Sequence, residues 1–134
     1  MAYESTDVPV SRSQDGIRQM VVAHKGTGVM FLSQPPIEGF EALVVMKDKA
    51  YHIRIIAHCR PKVQLEQEQR RVWRVLFYHL KALFQAADSG VLTIEELILP
   101  YVVTHDGRTI AEHVLPRLHE AITQNPMLLL PQKA

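Results

Sequence analysis

One cysteine in 134 residues, Cys59, excludes an internal disulfide and any cysteine-built metal site. No apolar run approaches the roughly 18 residues that a membrane-spanning helix needs. The opening stretch MAYESTDVPVSRSQDG lacks the apolar segment behind a basic start that marks a secretory signal. Nor is charge of one sign in excess: 15 Lys and Arg face 14 Asp and Glu. That balance gives no whole-molecule pull toward nucleic acid or membrane. Catalytic fingerprints are missing too. There is no G-x-S-x-G, no P-loop and no dinucleotide-binding glycine pattern, and KGTG (25–28) is too short to cradle a phosphate. The chain therefore reads as a soluble, cytoplasmic protein with no membrane partner and no implied cofactor.

What is present is ordinary globular material, 47% apolar and 22% charged. The length suits one domain able to bury roughly two thirds of its unfolded surface. Residues 1–15 read as a flexible arm, 16–124 as a single α+β domain, and 125–134 as an apolar tail. The front half is rich in β-branched residues. IRQMVVA (17–23), VMFLS (29–33), ALVVM (42–46) and AYHIRIIAHC (50–59) read as four strands of an antiparallel meander. HKGTG, QPPIEGF and KDK supply the connections. In the last strand Tyr51, Ile53, Ile55 and Ala57 share one face, and His52, Arg54, Ile56 and His58 share the other.

After Pro61 the period changes. Leu65, Val72, Trp73, Leu76, Phe77, Leu80, Leu83, Phe84 and Ala87 recur at three- and four-residue steps, the apolar face of one long helix. Gly90 is placed to end it. Two similar segments follow, TIEELILPYV (93–102) and TIAEHVLPRL (109–118). Thr93 with Glu96, and Thr109 with Glu112, each form an S/T-x-x-E capping box. In both, a proline seven residues after the threonine opposes the glutamate carbonyl four residues back. The first helix should stop there and run into a turn at Asp106–Gly107. The second, followed by helix-competent residues, should bend and continue. The likeness is shared capping physics rather than a functional repeat.

Charge is uneven along the chain. Residues 49–81 carry eight Lys and Arg against two Glu, a net +6, while residues 82–134 carry three against six, a net −3. Arg71, Arg74, Tyr78 and Lys81 fall along one polar edge of the long helix, with Arg54 on the preceding strand. Arginines interleaved with a tyrosine suit phosphates and a stacked base. No helix-turn-helix, zinc-finger or RNP pattern accompanies them, so nucleic acid is the second reading and a solvated helix face the blander one.

The seven histidines lack metal-ligand spacing. His58 and Cys59, adjacent on a strand, face opposite ways and cannot act as base and thiolate. No nucleophile or base can be named, so an enzyme is the third reading. The leading one is a non-enzymatic interaction module. The long helix carries a second mild face with Val75, and the tail adds Met127, Leu128, Leu129 and Leu130. This is more apolar surface than a small sheet absorbs, and it points to a homodimer or a protein partner.

Overall fold

Residues 10–23 form a helix, not the arm and first strand that the local composition suggests. The computed structural model describes residues 6–46 and 48–124. Its elements are α1 (Val10–Ala23), β1 (Thr27–Gln34), β2 (Ile37–Met46), β3 (Lys49–His58), α2 (Leu65–Asp88), α3 (Ile94–Ile98) and α4 (Ile110–Gln124), with a 3-10 turn at Leu99–Tyr101. The architecture is α+β with a three-stranded antiparallel sheet in the order β1-β2-β3. The expected four-stranded meander is thus corrected to three strands behind an N-terminal helix.

The reason lies in α1's buried face. Ser13, Ile17 and Val21 are its buried residues, and they recur at helical spacing. Gly16 lies against α2, where an added Cβ would sit 2.5 Å from the Phe77 ring. Small residues at Ser13 and Gly16 let the two helices approach, and they also erase the apolar stripe that normally announces a helix. Cut at Gly16, the remaining IRQMVVA looks like a strand.

The other strands lie where expected but run longer. The link at 34–40 shrinks to Pro35–Pro36, because Gln34 pairs with Ile37 and the ladder starts at once. β2 and β3 then pair without a break from Ile37 opposite His58 to Met46 opposite Lys49. β1 is less regular, with a register shift between Thr27 and Met30 and Gly28 at φ +65°. One sheet face carries Phe40, Ala42, Val44, Ile53 and Ile55 into the core; Leu43 and Ile56 face away and stay exposed.

The core is closed by α2. Trp73 and Leu80 are fully enclosed, and Val72, Leu76 and Phe84 nearly so. α3 adds Ile94 and Ile98. α4, expected to help complete the core, contributes no buried residue among those described.

Both threonine caps form. Thr93 Oγ1 accepts from the Glu96 amide while the Glu96 carboxylate reaches back to the Thr93 amide. Thr109 Oγ1 accepts from the Glu112 amide at 3.2 Å. α3 stops two residues before Pro100, and the chain makes isolated antiparallel bridges, Ile53 with Val102 and Val103 with Thr109, around a turn with Gly107 at φ +82°. α4 continues through Pro116. That proline has no N–H for the Glu112 carbonyl, and the Arg108 guanidinium donates to this carbonyl instead, at 3.1 Å. Thr93→Ala and Thr109→Ala should each lower stability by about 1 kcal/mol. Thermal melting of the two variants tests this, and an unmoved midpoint in both would contradict the capping account.

Candidate functional site

Two carboxylates are buried under α2, and both are fully engaged. Glu38, on the core face of β2, accepts from Trp73 Nε1 at 2.9 Å and from Ser33 Oγ at 2.7 Å. Glu68, in the first turns of α2, accepts from Arg71 Nε at 2.8 Å, Arg71 Nη2 at 2.9 Å and the Arg60 backbone N–H at 2.6 Å. The Arg71 hydrogen bonds, against the opposing effect of burial and with help from Arg60, hold the Glu68 carboxyl far below the usual carboxylate range. A carboxylate clamped this way is a poor proton shuttle. Its work is to fix the start of α2 and the chain leaving β3.

Cys59 is buried beside this group. Burial pushes its thiol pKa up, the charges of Glu38 and Glu68 add to that, and Arg71 opposes it. The result is a thiol ill suited to act as a nucleophile at neutral pH.

The five residues of the expected basic stripe are divided by the structure. Arg71 is spent on Glu68, its side chain only 13% exposed. Arg54 lies on the open face of the sheet, 3.3 Å from Glu41 and 3.9 Å from Glu112. Arg74, Tyr78 and Lys81 come together on the outer side of α2, where they meet α1. They line a cleft of about 490 Å³ with Arg12, Gly16 and Gln19 from α1, floored by Phe77. The Arg74 guanidinium lies 4.3 Å from the Phe77 centroid and 5.0 Å from that of Tyr78; Lys81 Nζ lies 5.7 Å from Tyr78. Arg12 was hidden from sequence reasoning because its segment did not look helical. The signal was Arg12, Gly16 and Gln19 at helical spacing.

A second surface surrounds α4. Its apolar arc holds Ile110, Ala111, Val114, Leu115, Leu118 and Ile122. Only the first two are half-covered; the other four are exposed by 49, 61, 44 and 41%. Between α4 and the open face of β3 runs an apolar groove of about 400 Å³ lined by Ile56, His58, Pro100, Tyr101 and Leu115 among others. Val75 is exposed on α2 and lines neither this groove nor the basic cleft. Met127, Leu128, Leu129 and Leu130 lie outside the described residues.

Three histidines each face one carboxylate, His52 with Glu41, His24 with Asp88 and His113 with Asp106. Among the described residues no three His, Cys, Asp or Glu side chains are grouped to hold a metal ion. No described helix is long and apolar enough to cross a membrane. Set against protein-family models, curated proteins and solved structures, the chain finds no match.

The Glu68 clamp should show in acid. Its carboxyl is held below the ordinary 4.5 in the fold, so its stabilisation is complete above that value and is lost as pH falls beneath it. Glu68→Gln should cost on the order of 3 kcal/mol near neutral pH, since it breaks a buried ion pair. It should also flatten the decline in melting midpoint between about pH 5 and 3. Equal acid slopes for both proteins would show that the clamp does not govern acid unfolding.

Proposed function

We propose that this protein is a non-enzymatic interaction module that pairs with a second copy of itself through α4. The observation that carries this reading is the four-residue apolar row Val114, Leu115, Leu118 and Ile122, exposed on a helix with no buried residue among those described. A helix bearing such an arc gains stability only by burying it. A two-fold pairing, in which α4 of each copy meets the same surface of the other, satisfies both rows with one contact.

Magnitudes say how large the contact must be. Covering the exposed part of four aliphatic side chains yields about 1 kcal/mol each, or about 8 kcal/mol over two copies. Association itself costs about 4–15 kcal/mol. The row alone is therefore close to break-even. A stable pair needs neighbouring apolar surface as well, and Leu99 and Ile56 offer it beside the groove. The segment Met127–Leu130, which follows α4 directly in the chain, is the other source. Val75 belongs to a separate patch, which suits a further protein partner.

The double variant Leu115→Glu, Leu118→Glu should convert a two-chain particle into a single chain without loss of fold, because neither side chain is buried in the subunit. Light scattering reads the mass and circular dichroism the fold. A wild-type mass of one chain at about 100 μM, where a useful pairing free energy of about −6 kcal/mol or better would show, would dispose of the reading.

A further inference from the structure

The cleft between α1 and α2 is unlike the rest of the surface in one respect: it gathers positive charge without an answering carboxylate. Arg12, Arg74 and Lys81 all line it, and no acidic residue does. Among the described residues none of the three has an ion-pair partner. Several other arginines are answered. Arg54, Arg60, Arg71 and Arg108 each face a glutamate, and Arg18 faces Asp15 on the outer side of α1. Three cations held round one cleft repel each other, and an anion placed among them removes that cost.

The cations are also held in place. The Arg74 guanidinium lies over the Phe77 ring and within cation–π range of Tyr78, and Lys81 approaches the same tyrosine. Phe77 and Tyr78 are themselves set edge to face, with centroids 5.0 Å apart. Gly16 lets α1 come close enough for Arg12 and Gln19 to face this group from the other wall. Buried against the rings, the Arg74 Nε–H has no acceptor among the described residues. An unanswered donor, a guanidinium set against the rings and two free-ended cations form a polar end; the two rings and the Gln19 amide form a partly apolar one.

From this we infer that the α1–α2 cleft binds a nucleoside phosphate, with the phosphate held by Arg12, Arg74 and Lys81 and the base set against Tyr78. The volume of about 490 Å³ is several times what a lone phosphate fills and lies within the usual range for small-ligand sites. An acidic peptide would use the cations but leave the aromatic floor without a matching group. The nucleoside phosphate comes from one of two sources, a free nucleotide or one unit of a single strand passing along the cleft. The site lies on the helical side of the sheet and α4 on the other, so binding here does not depend on self-association.

The test uses the full chain and fluorescence anisotropy of a labelled single-stranded oligonucleotide of about 12 residues. Three phosphate contacts on a single strand give a salt slope of about −2, so raising salt from about 50 to 200 mM should weaken binding about 20-fold. Unlabelled uridine monophosphate and inorganic phosphate serve as competitors. Displacement by the nucleotide at millimolar concentration, but not by phosphate, supports the free-nucleotide source. Displacement only by unlabelled strand supports the polymer. Arg12→Glu and Lys81→Glu, both at exposed positions, should each weaken binding about tenfold or more with the melting midpoint held, and Tyr78→Ala should do so while Tyr78→Phe retains binding. Absence of binding at low salt overturns the inference. So does equal competition by phosphate and nucleotide, or undiminished binding by folded Arg12→Glu and Lys81→Glu.

Discussion

The seat of α2 on the sheet is the constraint from which the other contacts follow. Trp73 enters the core whole, and its one polar atom finds the Glu38 carboxylate there. An indole N–H buried without an acceptor costs about 1–3 kcal/mol, and a carboxylate buried without donors costs more. Each group therefore makes the other tolerable, and together they allow only one placement of α2 over β2. Glu68 then fixes the rotation and the starting point, by joining Arg71 of the same helix to Arg60 of the segment leaving β3. With α2 set in register, α1 packs against its Phe77 side, α3 caps the core with Ile94 and Ile98, and Tyr101 reaches His79 at 2.8 Å.

Two surfaces result, on opposite sides of the sheet. The helical side bears a cleft with unanswered positive charge. The open side bears a groove and an apolar row, bordered by the ion pairs of Arg54 with Glu41 and Glu112. These pairs help explain why the two surfaces differ in character. On the open side Arg54 and Arg108 already face glutamates, and the exposed surface beside them is mainly apolar. On the helical side, charge is left for a ligand.

How far the chain could be read in advance depended on which residue types filled the buried positions. The long helix was legible because Val72, Trp73, Leu76, Leu80 and Phe84 are large and apolar at helical steps. Both threonine caps were legible because capping is local and uses few residue types. α1 was not, since Ser13 and Gly16 occupy its inward face for the sake of close packing. The basic stripe was half legible. Spacing places Arg71, Arg74, Tyr78 and Lys81 on one edge, but only tertiary structure assigns Arg71 to Glu68. A hint lay in Glu68 itself, which falls in line between Leu65 and Val72, where an acidic residue needs a partner. The unused apolar arc of α4 could not be told from a core-facing one, because periodicity reports that a face is apolar and not what covers it.

The irregular start of β1 has a bearing on how the molecule behaves when crowded. Among the described residues β1 has a strand on one side only, and sheet borders of this kind invite a second chain to add on and propagate. Here the shift between Thr27 and Met30, with Gly28 in the left-handed region, breaks the ladder at its beginning. The regular stretch left is Met30–Gln34, and it runs into Pro35, whose nitrogen carries no hydrogen to donate. A newcomer would find a short docking track, too brief to template a growing fibre. The protein can thus keep Met30 and Leu32 in contact with water on this border.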